Sequence, residues 1–347
     1  MTEVNRVWRL RKRPVGEIAD DVLSLAEEPI PEPRDGECLF RLNYLSLDPT
    51  NRLWMSDIPQ YMPPVELDAP MRGIVCGTVV RSRHPNYATG QIVSGLGTWS
   101  DYQIGTPAAV NPMGDTGPMS VLDAFSTFAV VGPTAYFGLL DIGQPKSGET
   151  VVVSAAAGAV GSIVGQIAKI KGCRVVGLAG TREKCSWIKD DLGFDAAINY
   201  RTDDVPKALA AACPDGIDVY FDNVGGAILD ACLNLMNLNG RIPTCGLISQ
   251  YNATQPPAGP QSYPAILMRR LRVQGFIVLD YGARYPEAIA ALGRWMAEGK
   301  IKVRTETIDG LENALQSVRK LYTGGNSGKL MIRVAEPSPV KAQQLTS

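Results

Sequence analysis

The run Ala156-Ala157-Gly158-Ala159-Val160-Gly161 carries a spacing with a definite use. Written A-x-G-x-x-G, it matches a dinucleotide fingerprint, with Ala156 standing where the first glycine usually sits. Gly158 lets the backbone approach a pyrophosphate closely, while Gly161 and Gly165 let a helix press against a strand. The chemistry is anion binding. The first turn of a helix offers unpaired N–H groups and the positive end of its dipole to phosphates.

Such a turn works only between a strand and a helix. Thr150 to Ser154 is β-branched and apolar, as a buried parallel strand should be, and Ala155 to Gly158 are too small to continue it. From Ala159 the period becomes helical, with Val160, Ile163, Val164 and Ile167 at three- and four-residue spacing. No charge occurs between Val151 and Ala168, so a tightly packed core helix and a membrane span are the competing readings. Three glycines and the change of period argue against the span.

Around this centre, β and α units alternate. CRVVGLAG, DAAINY, IDVYFDNVGG, RIPTCG and VQGFIVL read as strands. TREKCSWIKDDLGF, DVPKALAAAC, AILDACLNLMNLNG (closing at Gly240) and RYPEAIAALGRWMAEGK read as helices. That succession predicts a doubly wound parallel sheet with right-handed crossovers. Residues 1 to about 125 instead show short strands broken by Pro and Gly, with a helical texture between Ser120 and Leu140. After Ile301, KVRTETI and KLMIRVA return to the β-rich texture around a helix at LENALQSVRKLYT. The expectation is a discontinuous β-rich domain (1–125 and 301–347) with a nucleotide domain (126–300) inserted in it, and a loose tail from Glu336.

With 347 residues, two domains and a substantial core are expected. The formal net charge of −1 removes the electrostatic case for nucleic acid or an anionic membrane as partner. The N-terminus has basic residues but no apolar stretch after them, so no secretory signal is expected. Seven cysteines are scattered singly without a C-x-x-C pair, which fits reduced thiols in a cytoplasm. His84, the one histidine, excludes a two-histidine metal site and makes a histidine-based triad a poor reading. It sits in a polar turn and is expected to be exposed and idle.

The type of nucleotide follows from the end of the second strand. A domain choosing NAD usually places Asp or Glu there for the ribose 2′-OH. Here Leu178-Ala179-Gly180-Thr181 is followed by Arg182, Glu183 and Lys184, so no carboxylate sits at the tip and two cations lie just beyond it. This favours a 2′-phosphate and therefore NADP(H), with Tyr200 adding its hydroxyl. An ordinary charged helix start is the alternative, and Glu183 weakens the electrostatic argument.

SAAAGAVGSIVGQIAKIKGC, FDNVGG, CGLISQYN and NSGKLMIRV, with YLSLDPTNR near Tyr44 and VGPTAYFGLLDIG near Tyr136, together resemble the zinc-independent medium-chain reductases. The branch they are most similar to holds the NADPH-dependent alkenal/one reductases. The resemblance covers nearly the whole chain. It implies an α/β architecture in which a GroES-like β-rich catalytic domain joins a Rossmann doubly wound parallel sheet. It also implies that Gly158, Ala159, Val160 and Gly161 form the pyrophosphate turn, and that Lys184 and Tyr200 meet the 2′-phosphate. Asn223 matches a contact near the nicotinamide. Cys245, Gly246, Leu247, Ile248, Ser249 and Tyr251 match the loop along the cofactor. Phe276, Ile277 and Val278 match the segment behind the nicotinamide, and Asn326 a contact from the returning C-terminal piece. Relatives commonly dimerise by joining sheet edges, and VQGFIVL would be that strand.

Zinc-dependent relatives grip an alcohol with Cys, His and Cys or Glu. By rough alignment Asp48 takes the first Cys position and Ile74-Val75 replace the His-Glu pair, so no metal is expected. An activated alkene asks for less: hydride to the carbon β to a carbonyl, and a donor near the developing enolate oxygen. A neutral tyrosine hydroxyl suits that second task. Tyr251, matching a family tyrosine implicated in catalysis, is the first candidate, with packing under its loop as the alternative role. Tyr44 and Tyr61 are weaker candidates for the substrate pocket. The Pro-rich segment Thr254–Pro264 resembles a flap, or is an ordinary surface loop. The leading expectation is an NADPH-dependent ene-reductase of α,β-unsaturated ketones or aldehydes. Quinone reduction on the same scaffold and an NADPH-binding protein with little turnover are the alternatives.

Overall fold

The computed structural model describes residues 4–337, and the expected loose tail lies outside them from residue 338 onward. The chain forms two compact units. One takes Met1–Ala129, Glu306–Thr323 and Leu330–Ser347; the other takes Val130–Thr305 and Gly324–Lys329.

The first unit opens with an antiparallel hairpin of β1 (Val4–Leu10) and β2 (Leu23–Pro29). There follow β3 (Cys38–Leu47), α1 (Thr50–Trp54), β4 (Arg72–Ser82), β5 (Ile92–Thr98), β6 (Tyr102–Gly105) and β7 (Val110–Pro112). Then α2 (Val121–Phe128) starts at Ser120, whose side chain accepts from the Asp123 N–H as an N-cap should.

The second unit holds α3 (Val131–Phe137), β8 (Thr150–Val153), α4 (Ala159–Ile170), β9 (Arg174–Ala179), α5 (Arg182–Ser186) and β10 (Ala196–Asn199). It continues with α6 (Val205–Ala212), β11 (Ile217–Phe221), α7 (Gly226–Leu233), β12 (Met236–Thr244), α8 (Pro264–Met268), β13 (Arg272–Gly275) and α9 (Tyr285–Ala297). The chain closes through β14 (Thr305–Asp309), α10 (Ala314–Thr323) and β15 (Lys329–Arg333).

In the first unit a seven-stranded sheet runs β14-β15-β3-β4-β5-β7, with β6 pairing β3. Its core gathers Trp8, Phe40, Trp54 and Trp99 with Leu315, Val318, Leu330 and Ile332 from the returning chain. In the second unit six parallel strands run β10-β9-β8-β11-β12-β13. Val151, Val152 and Val153 of β8 are fully buried, which explains why that strand is continuously apolar. Each such side chain contributes roughly 1.5–3 kcal/mol by burial.

The 12-residue α4 is about 18 Å long at ~1.5 Å per residue, short of the ~30 Å hydrocarbon thickness of a bilayer. The run Val121–Gly143 is long and apolar enough to cross a membrane by composition, yet 67% of its most apolar window is buried inside the protein.

Three expectations need correction. The helix predicted as far as Asn239, with Gly240 just past it, ends at Leu233, and Met236–Asn239 already belong to β12. The Asn237 amide donates to Asp215 O and Asp218 Oδ1, pinning the start of that strand in a way the apolar spacing could not announce. The predicted strand VQGFIVL stops at Gly275, and Val278–Arg284 forms a 3₁₀ turn. His84 is half-buried rather than exposed; its Nδ1 accepts the Asn86 N–H at 3.1 Å and its ring lies against Tyr87.

Candidate active site

Strand order reverses between the neighbouring strands β8 and β11, the place in an open α/β sheet where ligands bind beyond the C-terminal strand ends. The turn after β8 lies there. Ala155 has φ 48°, which reverses the chain, and Gly158 is the extended N-cap of α4 with no side-chain cap hydrogen bond. The first-turn N–H groups of α4 therefore have no side chain capping them. A Cβ on Gly161 would lie 2.4 Å from Ala155 O and 2.9 Å from Ala156 Cα, so only glycine lets the helix close on the turn. The returning segment runs alongside: Gly328 N–H donates to Ala157 O at 3.0 Å, and the Asn326 amide donates to Gly328 O at 3.0 Å. These features fit a bound pyrophosphate.

At the ends of β9 and β10, cations gather. Thr181 caps α5 by accepting the Lys184 N–H, and Lys184 Nζ donates to Gly324 O at 2.8 Å. A Cβ built on Gly324 would lie 3.2 Å from Arg201 Nη2 and 3.5 Å from the Tyr200 hydroxyl oxygen. Lys184, Tyr200 and Arg201 thus converge beside Gly324. Glu183 faces other duties: hydrogen bonds from its own backbone N–H and from Thr181 hold its carboxyl below the ordinary range. This corner fits a ribose 2′-phosphate. Arg201 was missed in the sequence, although its place directly after Tyr200 was a usable signal.

Asn223 follows β11 and is tied to the turn after β8. Its N–H donates to Ser154 Oγ at 2.9 Å and its Nδ2 to Ser154 O at 2.7 Å. The loop after β12 is fastened in turn, with Cys245 N–H donating to Asp222 O (2.8 Å), Ile248 N–H to Asn223 O (3.3 Å) and Ser249 Oγ to Val224 O (2.6 Å). At its end, the Tyr251 hydroxyl oxygen accepts the Leu247 N–H at 3.2 Å, which holds the phenol against its own loop. Burial pushes the Cys245 thiol up to about 12, so it is no nucleophile near pH 7. Phe276 seats its ring over Gly138, where a Cβ would stand 2.3 Å from Phe276 Cζ, and Ile277 continues extended into the 3₁₀ turn from Val278.

All of these residues belong to the second unit, at the C-terminal side of its sheet. Tyr44 and Tyr61 belong to the first. Tyr44 is 5% exposed, packs with Cys76, Phe125 and Met331, and donates to Glu336 at 3.4 Å. Burial, reinforced by the Glu336 charge, pushes its phenol up to about 12. Tyr61 is 40% exposed and hydrogen-bonds to the Thr50 hydroxyl. The segment 254–264 is exposed over most of its length and is tethered where Ser262 N–H donates to Asp230 Oδ1.

A surface pocket of about 450 Å³ lies between α5 and Arg304, but no candidate site residue lines it and three carboxylates offset its two arginines. It takes no part in this reading.

Two family descriptions match: "N-terminal domain of oxidoreductase" over residues 6–113 and "Zinc-binding dehydrogenase" over residues 159–294. The NADPH-dependent curcumin reductase of Escherichia coli (strain K12) is 48% identical over 336 residues, covering 95% of this chain and 97% of its own. The chain belongs to the medium-chain dehydrogenase/reductase superfamily, in its curcumin reductase and prostaglandin reductase 1 branch. Prostaglandin reductase 1 of Bos taurus is 40% identical over 332 residues, 94% of this chain and 98% of its own. The crystal structure of CurA from Vibrio vulnificus in complex with NADPH superposes with a TM-score of 0.91 at 45% identity, covering 96% of this chain and all of that one.

Zinc, which one family description names, does not fit the residues present. Asp48 accepts the Ser46 hydroxyl at 2.5 Å, and Ile74 and Val75 pair within the sheet. Among the described residues no three His, Cys, Asp or Glu side chains gather as ligands.

Proposed function

We propose that the protein is an NADPH-dependent reductase of the carbon–carbon double bond of α,β-unsaturated ketones and aldehydes. The observation that carries this reading is identity of 48% and 40%, sustained over nearly the whole chain, to a curcumin reductase and a prostaglandin reductase. The corner of Lys184, Tyr200 and Arg201 supports the phosphorylated coenzyme.

When bound, the coenzyme supplies hydride to the β carbon while negative charge moves onto the carbonyl oxygen. The protein's own work is then positional and electrostatic. The turn at Gly158–Gly161 and the α4 N-terminus hold the pyrophosphate, and Lys184 with its neighbours holds the 2′-phosphate. Asn223, the loop Cys245–Tyr251 and the segment Phe276–Val278 flank the nicotinamide end, and Asn326 closes over the pyrophosphate turn. Tyr251 presents a phenol that the Leu247 N–H, by donating to its oxygen, makes a better proton donor to the enolate. Tyr61 is assigned to the substrate side through its exposed ring, whereas Tyr44, buried among Cys76, Phe125 and Met331, is a packing residue rather than a pocket-lining one.

A cytoplasmic location is the proposal that seven cysteines without a disulfide support. A homodimer is proposed through β13, the outer strand of its sheet, all four of whose residues are exposed beside Leu267 (72%) and Met268 (65%). Turnover of an enone compared with a quinone under identical NADPH tests the reaction. Faster double-bond saturation supports the proposal, and quinone-only turnover refutes it.

A further inference from the structure

Between the turn after β8 and the loop after β12 lies a buried carboxyl that the functional reading leaves unused. Asp222 follows β11 and is 0% exposed. Its Oδ1 accepts from the Tyr220 hydroxyl (2.8 Å), Gly225 N–H (2.8 Å), Val224 N–H (2.9 Å) and, at 3.4 Å, the Ser154 hydroxyl. Its Oδ2 is fully buried and has no hydrogen-bond partner. A carboxylate with one crowded and one orphaned oxygen is a costly thing to keep in a dry site. Its backbone is equally committed: Asp222 N–H donates to Pro243 O, and Asp222 O accepts both Cys245 N–H (2.8 Å) and Gly246 N–H (3.2 Å).

Asp222 therefore joins three turns. Through Val224 and Gly225 it shapes the bend that carries Asn223. Through Ser154, which also accepts the Asn223 N–H, it reaches the turn after β8. Through its carbonyl it fixes the first residues of the loop that ends at Tyr251. Burial drives the carboxyl above its usual range, while the Gly225 and Val224 N–H groups pull it back. Leucine would leave the Val224 and Gly225 N–H groups without their acceptor, whereas asparagine would keep an acceptor without the buried charge.

We infer that Asp222 is a positioning residue for coenzyme binding and hydride transfer, its Oδ1 setting the relative placement of Asn223 and the Cys245–Tyr251 loop. The inference rests on the proposed coenzyme site. It makes no contact with the 2′-phosphate corner, so its loss weakens NADPH and NADH by the same factor.

The test measures dissociation constants by coenzyme fluorescence, and kcat and KM on an enone, well below the melting temperature. Asp222→Ala removes the acceptor from three or more donors and is expected to weaken both coenzymes about tenfold. It also lowers kcat, with KM for the enone within about twofold of wild type. Asp222→Asn keeps an acceptor oxygen for the two N–H groups and is expected to recover affinity to within about threefold. Coenzyme affinity unchanged in Asp222→Ala, or Asp222→Asn as weak as Asp222→Ala, overturns the inference. Should Asp222→Ala fail to fold, Ser154→Ala, which removes the acceptor for Asn223 N–H together with the hydroxyl's donation to Asp222 Oδ1 and Phe221 O, decides: several-fold weaker coenzyme binding supports it, and unchanged binding overturns it. A wild-type protein that binds no NADPH would defeat the coenzyme site itself, whereas wild-type binding with insensitive variants defeats only the role of Asp222.

Discussion

Replacing Lys184 by alanine isolates the 2′-phosphate corner from the rest of the coenzyme site. Lys184 Nζ is anchored to Gly324 O at 2.8 Å on a half-buried residue, so the ammonium is already placed before any anion arrives. A hydrogen bond involving a charged group contributes about 1.5–3 kcal/mol. At ~1.4 kcal/mol per decade, that is roughly 10- to 150-fold in affinity. Solvent reaches the corner, and Arg201 and Tyr200 remain, so the lower part of that range applies. Lys184→Ala is expected to raise KM for NADPH about 10- to 30-fold and to leave KM for NADH within about twofold. Because solvent reaches this charge pair, raising salt should weaken NADPH binding in wild type more than in the variant. Initial rates with each coenzyme at fixed enone concentration measure both effects. A ratio of the two KM values unchanged by the substitution would refute the phosphate assignment.

Three further outcomes follow from the same geometry. Tyr251→Phe should lower kcat by about 10²-fold while NADPH affinity, read by fluorescence, stays within about threefold; equal turnover would remove the proton-donor role. Burial pushes the thiols of Cys173 and Cys213 up to about 11 and that of Cys245 to about 12, from an ordinary 9.0. The folded state then binds more protons than the unfolded chain between those values, so stability is complete below pH 9 and falls as pH rises toward 11 and 12. Urea midpoints at pH 8 and 10.5, the latter expected lower, check this. Val273→Lys places a charge on the exposed outer strand β13 and should convert a dimer to monomer by light scattering without loss of fold; an unchanged mass would reject edge pairing.

The centre of the fold was legible because its physics is local. Val151 to Val153 are buried on both faces, so their apolar run could hardly be anything but an inner strand, and Gly158 and Gly161 mark a turn that a Cβ would jam. The start of β12 was not legible. Leu233, Leu235, Met236 and Leu238 satisfy helical and extended spacing alike, and the choice is made by the Asn237 amide reaching Asp215 and Asp218. Phe276-Ile277-Val278 looks like strand from its side chains, but the ring of Phe276 is drawn onto Gly138 and the chain leaves the sheet. Charge in a sequence has no direction, which is why Arg201 was overlooked. The polar wiring through Asp222 and Ser154 was invisible for the same reason: it depends on which three turns the sheet brings together.

Mixing the purified protein with NADPH and a conjugated enone, and identifying the product by mass spectrometry and NMR, tests the central claim most directly. The account predicts the saturated ketone, one equivalent of NADPH oxidised per double bond, and the carbonyl intact. An allylic alcohol as product, or no NADPH consumed across a panel of enones and enals, would contradict it.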